Sequence, residues 1–170
     1  MKKVVKFGGS SLASAEQFEK VGSIVRADAS RIYVVPSAPG KRNSSDTKVT
    51  DMLYGCYALA EAGSDFSKEL KAIKARYDEI ISGLKLDMTL DEEFKVIEKD
   101  FKAKAGSDYA ASRGEFLNGK IMANYSVSIM IPFTVKVEAD SFEENAFDIS
   151  DEKIYLENNN LKDDIIMLRQ

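Results

Sequence analysis

The chain has 170 residues, 44% of them hydrophobic, and a net charge of −4, so it can bury one core with room for a partial appendage. The acidic balance argues against a general nucleic-acid surface. No run approaches the roughly 20 apolar residues of a membrane span, and MKKVVKFGG lacks a signal peptide's apolar stretch, so a cytoplasmic protein with no membrane partner is expected.

Lys3 to Leu12, KVVKFGGSSL, reads as a short buried strand built on Val4, Val5 and Phe7. It carries Lys6 near its end and drops into two glycines and two hydroxyls. A glycine pair after a strand permits a tight turn and close approach to a ligand, and successive N–H groups there make an anion site. The box Ser14-Ala15-Glu16-Gln17 opens a helix over residues 15–29, with Phe18, Val21, Ile24 and Val25 on its inner face. Ile32 to Val35 is a second buried strand, ended by Pro36. This order predicts a parallel pair, which brings the Gly8 loop and the Ser37 loop to one sheet edge, where open α/β sheets bind ligands.

The Ser37 loop, SAPGKRNSSDTKVTD, is basic at Lys41 and Arg42 and by itself reads as a solvated surface loop. Gly40-Lys41 is not a Walker A pattern, because Val35 stands where its first glycine belongs. Thr50 and Asp51 are the candidate caps of a helix running to about residue 62, in which Cys56 is a core thiol. Amphipathic helices follow over residues 66–84 and 90–105. From Ser107 to Ala123 a helical pattern is interrupted by Ser112-Arg113-Gly114-Glu115. Glycine inside a helix costs roughly 1 kcal/mol, so Gly114 asks for a close approach of some neighbour. Arg113 and Glu115, taken alone, read as a charged pair on a solvated face. Tyr125 to Val137 is strand-like, with Ser126 to Ile131 as a strand offered to a partner. From Glu138 onward ten acidic residues stand against three basic ones, a compositional break.

There is no histidine, which removes Ser-His and Cys-His nucleophiles and the common zinc-water hydrolases. Phosphoryl transfer, which depends on positioning and charge, fits the side chains that remain.

Three stretches, KFGGSSL at Lys6 to Leu12, VVPSAPGKR through KVTDML at Val34 to Leu53, and SRGEFLNGKIMA at Ser112 to Ala123, together resemble the aspartokinases of the amino-acid kinase superfamily. The resemblance implies a three-layer α/β sandwich with a mostly parallel central sheet, here incomplete. It implies ATP-dependent phosphoryl transfer to the side-chain carboxylate of L-aspartate, the first step towards lysine, threonine and methionine, with ATP and Mg2+ as cofactors. Lys6 would lie against the transferring phosphoryl group, and Gly8, Gly9 and Ser10 would present donors to the ATP phosphates. Ser37 would close the same edge. Thr50 and Glu115 would hold aspartate, the hydroxyl donating to a carboxylate and Glu115 accepting from the ammonium.

The resemblance divides the chain into an aspartokinase-like lobe, residues 1–125, and an unmatched tail, residues 126–170. No glycine follows Gly119, so the family's later glycine-rich loops for nucleotide and metal have no counterpart, and no metal ligand is identified. A truncated, non-catalytic amino-acid-binding or subunit-interaction module is therefore the alternative. Unfinished sheet edges predict a homo-oligomer.

Overall fold

The computed structural model describes residues 2–129, and the backbone alone of residues 134–138 and 165–168. The acidic stretch between those two strands lies outside the described residues. Strand β1 (Lys3–Phe7) and strand β2 (Arg31–Pro36) are joined through helix α1 (Ala15–Arg26) and pair in parallel. Strands β3 (Thr134–Glu138) and β4 (Ile165–Leu168) continue the sheet, also in parallel, in the order β1-β2-β3-β4. Between β2 and β3 run α2 (Val49–Glu61), α3 (Ser67–Gly83), α4 (Asp91–Lys102) and α5 (Ser107–Ser128). The α/β class and the parallel sheet are thus as expected.

Register divides β1 between two environments. Val5 pairs with Val34, and Lys6 with Val35. Alternation sends Val5, Phe7 and Val34 to the side where the helices pack, while Val4 is 64% exposed. The expectation of a buried first strand is corrected accordingly. β1 ends the described sheet and has one strand neighbour, so only its alternate residues reach the core.

Helix α1 starts where its box predicts, with the Ser14 hydroxyl accepting from the Gln17 N–H at 3.4 Å. It stops at Arg26, short of residue 29, and Ile24 is 47% exposed rather than inward. The stripe that packs is Phe18, Val21, Gly22 and Val25, and a Cβ on Gly22 would sit 2.9 Å from the Tyr125 hydroxyl. Ile24 falls off that stripe because about 3.6 residues make one turn.

Tyr125 also corrects the strand expected from Ser126. Helix α5 continues through Ser128, with Tyr125 meeting Phe18 edge to face at 6.2 Å between ring centres. The Ser126 and Ser128 hydroxyls donate to the Ala123 and Tyr125 carbonyls, each at 2.7 Å, so these polar groups are satisfied within the helix. Residues 130 and 131 of that expected strand lie outside the described residues. The core joins Phe18, Leu53, Ile73, Tyr77, Leu117, Ile121 and Met122. Full burial of each such side chain stabilises by about 1.5–3 kcal/mol. Cys56 lies in this core as expected, and burial pushes its thiol up to about 12. Among the described residues no helix is long and apolar enough to cross a membrane.

Candidate active site

The ends of β1 and β2 lie side by side and release two loops at one sheet edge. The chain leaves β1 through an extended Gly8 (φ −70°) and winds Gly9–Leu12 into a single 3-10 turn. It leaves β2 through Ser37, whose N–H donates to the Phe7 carbonyl at 3.0 Å. The loops lock at two glycines, where the Gly40 N–H donates to the Gly9 carbonyl at 2.8 Å. A Cβ on Gly9 would lie 2.7 Å from the Ala38 carbonyl oxygen, and one on Gly40 would lie 2.6 Å from the Gly9 carbonyl carbon. Contact between backbones therefore requires glycine at both places. Gly8 differs, for a Cβ there would meet nothing within 4 Å.

Helix α5 closes the site from the other side. The Glu115 carboxylate accepts the Ala38 N–H at 3.2 Å, and Asn118 Nδ2 donates to the Ser37 carbonyl at 2.6 Å. Gly114 meets the close approach its position asked for. A Cβ on it would stand 2.7 Å from Ala38 Cβ, 3.3 Å from Leu53 Cδ1 and 3.9 Å from the Thr50 hydroxyl oxygen. Arg113 is buried rather than solvated, lying 4.4 Å from the Tyr109 ring centre and 4.8 Å from that of Phe116. Stacking between two rings suits a weakly hydrated guanidinium, which is why the charged-face expectation fails there.

Two cavities sharing Ser37, Thr50 and Glu115 result. One, of about 170 Å³, is lined by these three with Lys6, Pro36, Tyr54, Ala111 and Ser112. The other, of about 460 Å³, adds Gly9, Ser10, Lys41 and Lys48. Six of the seven residues singled out in the sequence thus come together, and Gly8 lines neither cavity. Thr50 does so from the first turn of α2 rather than as its cap. Lys48 holds the cap position, and the fully buried Val49 anchors the turn with its N–H on the Pro39 carbonyl at 3.0 Å. Lysines, hydroxyls and a carboxylate lining adjoining cavities are groups that can hold an anion and an ammonium.

The Ser37 loop is pinned, not merely solvated. Asp46 accepts from Arg42 Nε and pairs with Arg76 Nη1, each at 2.9 Å, and Arg42 reaches on to Glu79 at 2.6 Å. The Arg42 hydrogen bonds, with the charge of Arg76 adding to them, hold the Asp46 carboxyl well below the usual carboxylate range. Sequence reasoning missed Asn118, Arg76 and Tyr77. Arg76 left a trace, since it follows Ile73 by three residues on the apolar side of α3. Asn118, a poor helix former in a helix interior, left another.

Among the described residues no three carboxylate or cysteine groups gather to hold a metal ion. The lysines and hydroxyls that line the two cavities suit phosphate oxygens.

Residues 1–164 match the sequence model described as the Amino acid kinase family. The chain belongs to that family. Within it the similarity is to aspartokinases. The chain is 40% identical over 129 residues to aspartokinase 3 of Bacillus subtilis, covering 72% of this chain and 28% of that protein. The crystal structure of Clostridium acetobutylicum aspartate kinase matches with a TM-score of 0.73 and 46% identity, over 82% of this chain and 31% of that one. E. coli aspartokinase III, solved with aspartate and ADP, shares the fold at a TM-score of 0.67 and 19% identity, over 99% of this chain and 40% of that one. The chain thus spans about a third or less of the length of the first two relatives.

Proposed function

We propose that the chain carries the amino-acid side and the γ-phosphate side of an aspartokinase site, which uses ATP to phosphorylate the side-chain carboxylate of L-aspartate. The observation that carries this reading is the convergence of Lys6, Ser37, Thr50 and Glu115 on one small cavity beside Gly9 and Ser10. Glu115 takes the substrate ammonium and Thr50 donates to a carboxylate, which aims the other carboxylate at the phosphate side. That carboxylate is ionised at neutral pH, so attack on phosphorus needs no general base, in keeping with a chain that has no histidine. The Lys6 ammonium and the N–H groups of Gly9 and Ser10 stabilise the charge on the transferring phosphoryl oxygens. Bound Mg2+ supplies charge neutralisation in such reactions.

The second reading, a non-catalytic amino-acid-binding or subunit-interaction module, is favoured by the sequence, in which no glycine follows Gly119 to build a second phosphate loop. Self-association into a homo-oligomer belongs to both readings, supported by Val4 exposed on an end strand. A cytoplasmic setting is part of the same proposal.

Hydroxylamine trapping separates the two readings. The chain is incubated with Mg-ATP, L-aspartate and hydroxylamine, and aspartyl hydroxamate is measured against Lys6→Ala. Hydroxamate that disappears in the variant supports the kinase. No hydroxamate, with L-aspartate still raising the melting temperature, supports the module. Neither product nor protection overturns both.

A further inference from the structure

Helix α3 supplies no residue to the lining of either cavity, yet two consecutive side chains on it end at the two halves of the site. Arg76 is only 4% exposed. Its Nη2 donates to the Gly40 carbonyl at 2.9 Å and its Nη1 to the Thr47 carbonyl at 3.2 Å, so one guanidinium ties both ends of the loop that follows β2. Gly40 passes the constraint on through its N–H on the Gly9 carbonyl at 2.8 Å. Tyr77, fully buried, donates its hydroxyl to the Gly114 carbonyl at 2.9 Å, on the peptide that leads into Glu115. Successive helical residues diverge by about 100°, which is how neighbours on one helix reach two different elements.

The chemistry of Arg76 is costly unless it positions something. Burial lowers the guanidinium's affinity for its proton, and its Nε has no hydrogen-bond partner. An ion pair with Asp46 alone needs neither burial nor a fork. Two carbonyls at the two ends of one loop call for the fork, which a lysine ammonium lacks.

We infer that α3 sets the site's geometry from behind, with Arg76 positioning the Gly9–Gly40 phosphate side and Tyr77 positioning the turn that carries Glu115. This rests on the proposed function and divides that site into two halves with separate supports.

The test uses the full chain and the variants Arg76→Lys, Arg76→Met and Tyr77→Phe. Amide hydrogen exchange is read first, because it needs no ligand. Arg76→Lys is expected to speed exchange at residues 9–12 and 40–42 by about tenfold while residues 112–118 stay within about twofold of the parent. Tyr77→Phe is expected to give the reverse pattern. Calorimetry then reads Mg-ADP and L-aspartate. Arg76→Lys is expected to weaken Mg-ADP about tenfold with little change for L-aspartate, and Tyr77→Phe to do the opposite. Exchange that rises equally in both segments, or stays unchanged at 9–12, overturns the inference. So does a lysine variant that behaves as the parent while Arg76→Met does not, since pairing with Asp46 would then suffice. If the parent chain binds neither ligand, the proposed function fails, and the exchange pattern still decides the role of α3.

Discussion

Glu115 and Asn118 hold opposite ends of one peptide group. Glu115 accepts the Ala38 N–H and Asn118 donates to the Ser37 carbonyl, so the Ser37-Ala38 peptide is fixed in plane by two side chains one helical turn apart. A carboxylate assigned to a substrate ammonium therefore also holds the loop it faces.

Substitution separates those two duties. Glu115→Gln keeps an oxygen for the Ala38 N–H, so stability is expected to change by no more than about 0.5 kcal/mol. The charge proposed to face the substrate ammonium is lost, with an expected cost of about 1.5–3 kcal/mol of binding, or roughly ten- to hundredfold. Thermal shift with L-aspartate checks both parts. Full protection of the variant by aspartate would remove Glu115 from the amino-acid site.

The glycine lock predicts a contrast between neighbours. Gly9→Ala and Gly40→Ala each drive a methyl group into backbone at 2.7 and 2.6 Å, and backbone must shift. The expected cost is about 1–3 kcal/mol in urea denaturation, together with loss of Mg-ADP binding. Gly8→Ala, with open space and an ordinary φ, is expected to leave stability within about 0.5 kcal/mol. Equal losses at positions 8 and 9 would mean that the loops do not lock as described.

Asp46 makes part of the stability depend on acid. Its carboxyl titrates below the ordinary range in the folded chain, so its contribution is complete above the unfolded value, near about pH 4. That contribution fades as pH falls further. Asp46→Asn, which leaves the buried Arg76 without its counter-charge, is expected to cost about 3–5 kcal/mol at neutral pH. The gap between variant and parent should narrow steadily below about pH 4 in urea titrations. A gap that stays constant down to strong acid would show that the ion pair contributes nothing.

Cys56 offers a probe of global opening. A buried thiol pushed up to about 12 is almost wholly protonated at mildly alkaline pH and shielded from reagents. Native chain is expected to react with a disulfide reagent only at its unfolding rate, and at once in urea. Fast labelling without denaturant would place Cys56 outside the core.

The sequence made the site more legible than its supports. Lys6, Gly9 and Ser10 were readable because a glycine pair after a strand end is where backbone N–H groups can meet an anion. Ser37, Thr50 and Glu115 were reached only through the resemblance to aspartokinases, their own segments reading as a solvated loop, a helix cap and a charged face. Arg76, Tyr77 and Asn118 act on backbone atoms far along the chain, and spacing within one segment carries no sign of such partners. Ile24 and Val4 failed for a different reason. Periodicity says which residues share a face, and only the arrangement of neighbouring elements says which faces are covered.

The five-residue strand β1 joins folding to function more tightly than any loop does. Val5 and Phe7 turn inward, and Lys6 between them turns the other way, towards the cavity. A slip of one residue against β2 would exchange these roles, pressing an ammonium into the apolar cluster and setting Phe7 in water. Misaligned pairing is therefore penalised by the core at the same moment that it would misaim the lysine. A chain that has paired its first strand in register has also aimed its charge, so no separate step of site assembly is needed at that edge.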